Sequence, residues 1–376
     1  MKIAIDARDL QLATTGTKTY LQGLITACKN RSTPTLSIHI LDSQFLAGSN
    51  TTSSFTKKIR LHFFTFVWKQ IVLPFKCWKL GADVLICTDY MLPLLPFGGK
   101  KIVVFHDALF FDYPTYYPSP WLIYFKWVAV RAANCSSYIV TTSNFSKNRL
   151  LYHFPHWQDK VQVIYQGQKS WATSLALSET GKFIFDRIVT APFFLHVGSL
   201  EKRKNLLFLI RAFATFRKDQ HVKLVLVGGS THKTNSDDSK NITQLIQDLN
   251  LEKEVIMAGY LTDEDLSFFY KRACAYLFPS VYEGFGIPIL ESFYYQLPVA
   301  IATGSSLAEV AGNAAIEFDP QDELALVAVM EKLFTDEVIR KELTEKGLNQ
   351  LNQFNWDIAA DQFIELARES LFLRGS

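Results

Sequence analysis

Ser280-Val281-Tyr282-Glu283-Gly284-Phe285-Gly286-Ile287-Pro288-Ile289-Leu290-Glu291 is the stretch that settles how this chain folds. An apolar run ending at Phe278 leads into it, two glycines permit a tight turn, and Pro288 suits the first position of a helix. The segment therefore reads as strand, turn and helix. Backbone N–H groups at such a helix start offer a site for an anion or a hydroxyl. Glu283 falls in the loop and Glu291 in the first turn of the expected helix. Carboxylates accept hydrogen bonds from hydroxyls, so the pair suits a sugar and a ribose. A plainer reading stays open for each, with Glu291 favouring the helix dipole and Glu283 closing a turn.

Outward from this stretch, strand and helix alternate along the whole chain. Lys2–Asp6, Ser37–Leu41, Val84–Cys87, Ile102–Phe105 and Tyr138–Thr141 are short apolar or β-branched runs, as buried parallel strands are. The series restarts at Phe193–Val197, Lys223–Val227, Val255–Ala258, Ala275–Phe278 and Pro298–Ile301. Helical spacing covers Lys18–Cys28, Pro120–Ala133, Asn205–Phe216, Asp263–Ala273 and Pro288–Tyr295. Thr262 with Asp265 three residues on signals the start of one of these. Gln168–Lys182 is Ser/Thr-rich without a strong period and reads as a linker. The expectation is two doubly wound α/β domains, 1–170 and 183–355, facing each other across a cleft with ligands at the strand ends. The amphipathic segment Trp356–Leu373 is then a C-terminal helix, within 356–376, crossing back to the first domain.

A second informative stretch is His196-Val-Gly198-Ser-Leu-Glu-Lys202-Arg203-Lys204-Asn205. It follows a strand and opens a helix. Three cations at a helix N-terminus are unfavourable unless an anion joins them. Phosphate fits, with Arg binding as a fork and Lys as a point charge.

Composition excludes several classes. With 48% hydrophobic and 20% charged residues, the chain of 376 residues can bury large cores and is not disordered. No run of 18 apolar residues is present, and Asp6 and Arg8 interrupt the start too early for a signal peptide. Five cysteines without a close pair indicate neither a disulfide framework nor a zinc site, so a cytoplasmic protein with buried thiols is expected. The net charge of +3 hides two unlike parts. Residues 1–160 hold 18 basic and 8 acidic side chains, a charge of +10, while the rest carries 21 and 28, a charge of −7. The first part should face something anionic.

These segments together resemble glycosyltransferase family 4, which has the GT-B fold and uses nucleotide sugars. Glu283 and Glu291 match its Glu-x7-Glu motif, and Gly198-Ser-Leu-Glu-Lys-Arg-Lys-Asn205 resembles its phosphate loop. Leu226-Val-Gly-Gly229, Phe278-Pro-Ser280, Ser306-Leu-Ala-Glu-Val310, Asp6-Ala-Arg8, Thr15-Gly16, Phe105-His106-Asp107 and Thr142-Ser-Asn-Phe-Ser146 fall where similar strings stand in that family. The resemblance implies a retaining hexosyltransferase that needs no metal and no cofactor beyond its donor. It would act on a glycan or lipid-linked glycan in bacterial-type surface polysaccharide synthesis. It also implies roles. Glu283 holds donor-sugar hydroxyls, Glu291 holds the ribose, and the backbone of Gly284, Phe285, Gly286 and Ile287 orients sugar and phosphate. Lys204, Arg203 and Gly198 receive the diphosphate. His106 faces the sugar from the first domain, and Gly16 lets backbone approach phosphate and acceptor. Two departures stand out: Ser199 replaces the family's usual Arg, and Lys18 its second amino-terminal glycine.

Between Asp42 and Asp83 there is no acidic residue, yet Lys57, Lys58, Arg60, Lys69, Lys76 and Lys79 are interleaved with Phe63, Phe64, Phe66, Trp68, Phe75 and Trp78. Such a mixture suits an anionic membrane surface, which places the protein peripherally at the inner face of the cell membrane. Pro74 argues against one long amphipathic helix, and a core element with a solvated basic face is the alternative. No nucleic-acid recognition motif is present. A nicotinamide-dependent oxidoreductase would need Gly-x-Gly-x-x-Gly after the first strand, and no such string follows Ile5. A non-catalytic sugar-nucleotide or glycan-binding module on the same fold remains the alternative.

Overall fold

The computed structural model describes residues 1–12, 16–43, 63–169, 177–188, 191–230 and 235–373. They form two compact units. One comprises Met1–Asp112, Ser119–Gly167 and Asn355–Ser376, and the other Tyr113–Pro118 and Gln168–Phe354.

The first unit is built on a six-stranded parallel sheet in the order β2-β1-β3-β4-β5-β6. Its strands are β1 (Lys2–Asp6), β2 (Ser37–Leu41), β3 (Val84–Cys87), β4 (Lys100–Val104), β5 (Tyr138–Thr141) and β6 (Val161–Val163). Side chains alternate between two cores, as strand geometry dictates. Ile3, Ile5, Val84, Ile86, Ile102 and Val104 meet helix Gly16–Lys29 and helix Trp356–Phe372 on one face. Ala4, Leu85, Cys87 and Val103 meet helices Leu73–Leu80 and Ser119–Asn134 on the other. The carboxy-terminal helix is seated by glycine. A Cβ on Gly23 would stand 2.1 Å from the Trp356 ring, and one on Gly167 would stand 2.4 Å from the Trp356 backbone nitrogen.

The second unit repeats the plan with order β12-β11-β10-β7-β8-β9, all parallel. The strands are β7 (Phe193–Val197), β8 (Lys223–Val227), β9 (Val255–Gly259), β10 (Ala275–Phe278), β11 (Val299–Ala302) and β12 (Ala315–Phe318). Phe194, Leu224 and Leu226 bury one face under helices Leu206–Phe216, Ser239–Asp248 and Glu323–Thr335. The sheet order reverses between β10 and β7, since β8 and β9 lie to one side and β11 and β12 to the other. Ligands in such sheets sit beyond the carboxyl ends of the strands at this reversal.

Several expectations need correction. Gln168–Lys182 is not irregular throughout: residues 170–176 lie outside the described ones, and helix Glu179–Asp186 begins within the stretch. Ser178 caps that helix by accepting from Gly181 N at 3.0 Å. Buried Asp265 then accepts from Ser178 N and Oγ at 2.8 and 2.6 Å. Thr262 does cap the helix that carries Asp265, accepting from its backbone N–H at 3.2 Å, while the carboxylate is committed to Ser178. Glu291 lies past the first turn of its helix, because that helix runs Ile287–Tyr294. Lys69 is no surface cation. It is buried and paired with Asp6 at 2.6 Å and with Asp89. Lys57, Lys58, Arg60 and Thr15 lie outside the described residues. Cys28, Cys77 and Cys87 are buried, but Cys135 is exposed.

Candidate functional site

Lys204 and Glu283 define the site from opposite sides of the strand reversal. After β7 the chain makes a short 3-10 turn, Lys202–Lys204, and Asn205 enters the left-handed region at φ 56° before helix Leu206–Phe216. This turn sorts the three cations that sequence groups together. Lys202 remains exposed, while Lys204 is 6% exposed and extends over the Phe278 ring at 5.1 Å. Its Nζ donates to Glu283 Oε1 at 2.6 Å. Arg203 reaches the other oxygen, Oε2, at 2.8 Å, and also pairs with Glu201 at 2.9 Å and bonds Tyr282 O at 3.2 Å. The anion that the cationic turn calls for is thus Glu283, with Glu201 beside it.

Burial alone would raise the Glu283 carboxyl, but Arg203 and Lys204 overcome it and hold the group at about 2. Burial pulls the Lys204 ammonium below its ordinary value, against the attraction of Glu283. The carboxylate is charged at every working pH, and its two partners are cations able to meet phosphate.

The loop carrying Glu283 is held by backbone geometry. Gly286 has φ 120°, a conformation closed to L side chains, and turns the chain into helix Ile287–Tyr294. Ser306 Oγ pins the loop by hydrogen bonds at 2.8 Å to Glu283 O and 2.9 Å to Phe285 O. Phe285 is buried and meets Phe354 edge to face, so Gly284–Ile287 lies on a packed support. After β8, Gly228, at φ 122°, lets the chain pass close to the turn after β7: a Cβ there would stand 2.0 Å from Gly198 O. A Cβ on Gly198 would in turn press within 3.2 Å of Lys204 Cε. The structure therefore gathers Gly198, Arg203, Lys204 and Glu283 in one place.

Glu291 has its own setting. It is 8% exposed and accepts from the Tyr270 hydroxyl at 2.7 Å. Burial raises its carboxyl, against that hydrogen bond. The free oxygen capacity suits a vicinal diol donor such as a ribose.

His106 and Gly16 belong to the first unit. His106 follows β4, and its Nε2 donates to Thr88 O at 2.8 Å. Burial pushes it down to about 4, the Thr88 bond opposing, so the ring is neutral and Nδ1 is left as an acceptor. Tyr20 meets the ring edge-on at 4.8 Å, and Thr142 Oγ1 donates to His106 O at 2.9 Å. Gly16 is exposed at the first position of helix Gly16–Lys29.

Two further groups went unassigned in the sequence reading. Tyr270 stands among other aromatics, with nothing to mark it as the partner of Glu291. His196 is wholly buried, donates from Nδ1 to Leu277 O at 2.9 Å, and leaves Nε2 without a partner. A Cβ on Gly198 would stand 3.2 Å from that nitrogen. Its place near the end of β7, two residues before Gly198, was the available signal. Among the described residues, no group of three His, Cys, Asp or Glu could hold a metal ion, and no helix is long and apolar enough to cross a membrane.

Residues 179–350 match the family described as glycosyl transferases group 1. The chain is 28% identical over 266 residues to O-antigen chain mannosyltransferase B of Escherichia coli, covering 70% of this chain and 69% of that one. It is 32% identical over 174 residues to the serotype-specific mannosyltransferase WbdA of Escherichia coli, 46% of this chain but only 21% of that one. Among solved structures, a sucrose-phosphate synthase from Thermosynechococcus elongatus superposes with a TM-score of 0.74 at 17% identity, covering 98% of each chain. The Anabaena protein HepE in complex with UDP-glucose gives 0.71 at 17% identity, covering 98% and 100%. The fold is that of two Rossmann-like units known as GT-B. The family and relative matches support a glycosyltransferase.

Proposed function

We propose that this chain is a retaining, metal-independent glycosyltransferase of family 4. It moves a hexose from a nucleoside-diphosphate sugar to a glycan or lipid-linked glycan in surface polysaccharide synthesis. The observation that carries this reading is the buried convergence of Lys204 and Arg203 on Glu283 at the strand reversal, inside the segment that matches the family model. The Glu283 carboxylate stands between the two cations, where an anion belongs. On donor binding the diphosphate takes the two cations and Glu283 turns to sugar hydroxyls, while Glu291 accepts from the ribose. The acceptor oxygen bonds to the anomeric carbon on the face from which the diphosphate leaves. As the bond to the diphosphate breaks, the acceptor proton departs with the leaving group. Negative charge grows on that group in the transition state, so Lys204 contributes most there. His106, neutral and accepting at Nδ1, lies on the acceptor-side unit and bonds a sugar hydroxyl.

Relatives named as mannosyltransferases and the UDP-glucose held by HepE support a nucleotide sugar as donor. Residues 1–170 form the acceptor side and 183–355 the donor side. The first unit also attaches to an anionic membrane surface through exposed Phe63, Phe66, Phe75 and Trp78 with Lys76 and Lys79.

A thermal-shift screen across nucleoside diphosphates and nucleotide sugars tests the donor site, because a ligand binding only the folded state raises Tm. At about 100 times Kd the stabilisation is about 2.7 kcal/mol. At least one nucleotide should raise the Tm of the wild type, and Lys204→Ala should abolish most of the gain. A gain untouched by Lys204→Ala, or no response to any nucleotide, contradicts the reading.

A further inference from the structure

β7 and β10 pair at Phe194 with Ala275 and at Leu195 with Tyr276, and the ladder between them goes no further. Beyond it, at the strand reversal, side chains take over the bridging. His196 Nδ1 donates to Leu277 O at 2.9 Å, and the Tyr276 hydroxyl donates to Val197 O at 3.1 Å. A carbonyl oxygen only accepts, so Nδ1 carries the proton and Nε2 of the neutral ring is an acceptor. Burial pushes the imidazole down to about 4, the Leu277 bond opposing, so the ring is neutral at ordinary pH. His196 is wholly buried, and its Nε2 has no hydrogen-bond partner among the described residues. A buried acceptor left unused is costly and asks for a donor.

Lys204 supplies the donors. Its ammonium has three N–H groups, and among the described residues Glu283 Oε1 is its hydrogen-bond partner. The point where a Cβ on Gly198 would stand is 3.2 Å from His196 Nε2 and 3.4 Å from Lys204 Nζ. Acceptor and donors therefore flank the same glycine. The Phe278 ring adjoins both, its centroid 5.1 Å from Nζ and 6.1 Å from that of the imidazole. The two nitrogens do not bond while Glu283 holds the ammonium. Lysine is a point charge on a flexible four-carbon stem, so its head can change partners where a planar guanidinium could not.

We propose that His196 is a positioning residue for Lys204: its Nε2 accepts an N–H of the ammonium once Glu283 lets that ammonium go. An ammonium freed from its carboxylate at this depth needs an acceptor, and His196 offers one without adding charge. One N–H fixed on Nε2 leaves two for an incoming anion and limits where the head can point. That a nucleoside diphosphate is what displaces Glu283 rests on the glycosyltransferase reading; the handover to His196 does not.

The test has two arms. The first needs no substrate and reads the ring nitrogens of nitrogen-15-labelled histidine by NMR in the full chain, His196 being assigned by its loss in His196→Gln. Glu283→Ala should move the Nε2 resonance upfield, as a new hydrogen bond does, and adding Lys204→Met should return it. A resonance unmoved in Glu283→Ala, or moved equally with Lys204→Met present, overturns the proposal. The second arm follows turnover of nucleotide hexoses with α-mannobiose as acceptor. In His196→Asn the amide stands level with Nδ1 and keeps the Leu277 bond but offers no acceptor at Nε2. In His196→Gln the amide oxygen stands level with Nε2 and the Leu277 bond is given up. Positioning predicts kcat about tenfold lower in His196→Asn, with donor KM within about twofold, and partial recovery in His196→Gln. The opposite order, which a merely structural histidine would give, overturns the proposal, as do equal rates in wild type and both variants. If NMR shows the handover but the wild type neither binds a nucleotide nor turns over a donor, the glycosyltransferase reading fails and the handover stands.

Discussion

Glu283 accepts from Lys204 and contacts Arg203, so a diphosphate bound as proposed competes with it for both cations. Hydrogen bonds to charged groups are worth about 1.5–3 kcal/mol. Glu283→Gln weakens the competitor and removes a negative charge from the neighbourhood of the phosphates. Free nucleoside diphosphate should therefore bind about tenfold tighter or better in Glu283→Gln, measured by calorimetry, while sugar transfer falls. The ligand-free Tm should drop, since Lys204 loses its buried counter-charge. Unchanged or weaker nucleotide binding in Glu283→Gln would show that the carboxylate does not occupy the phosphate position. Lys204 and Glu283 could be found in the sequence because unlike residue types recur in fixed order around two turns. Tyr270 and His196 could not, because their value lies in one partner, Glu291, and one orphaned nitrogen, both set by tertiary packing.

Helices Leu73–Leu80 and Ser119–Asn134 pack on the same face of the first sheet, through Leu73 and Cys77 and through Phe125, Ala129, Ala132 and Ala133. Their outward sides expose Phe75 and Trp78, and Ile123, Tyr124 and Trp127, and neither helix contains an acidic residue. Pro74 does not break the helical run here: residues 63–80 are helical throughout, and the π-helical turn Trp68–Val72 runs directly into helix Leu73–Leu80, which carries Pro74. The membrane reading predicts co-flotation with vesicles containing anionic lipid, reduced by Phe75→Ser with Trp78→Ser. No preference for anionic over neutral vesicles would sink it. At this scale the strands were the most legible elements: β1, β2, β3, β5, β7, β8 and β10 lie where their apolar runs stand. The edge strands β6 and β12 were missed. Val161–Val163 has three residues and Ala315–Phe318 carries exposed Glu317, because an edge needs pairing on one side only. The helix starting at Glu179 was hidden because its cap is completed by Asp265, far along the chain.

The two halves of the charge, +10 through residue 160 and −7 beyond, correspond closely to the two sheets. The second unit is acidic overall yet concentrates Arg203 and Lys204 at the one place where phosphate is expected. The first unit is basic, though Lys69 is spent internally on Asp6 and Asp89. Its surplus includes the exposed Lys76 and Lys79. Sheet order and the return of helix Trp356–Phe372 to the first unit decide which residues meet, and both arise from packing against distant segments such as Gly23 and Gly167. The central claim is that Lys204 stabilises a departing nucleoside diphosphate. It is tested most directly by nucleoside diphosphate release from a panel of nucleotide hexoses, with α-mannobiose as acceptor, for wild type and Lys204→Ala. The wild type should turn over at least one donor with retained anomeric configuration in the product, and Lys204→Ala should be slower by about 100- to 1000-fold. Equal rates in the two proteins, or no donor turned over by the wild type, would contradict the account.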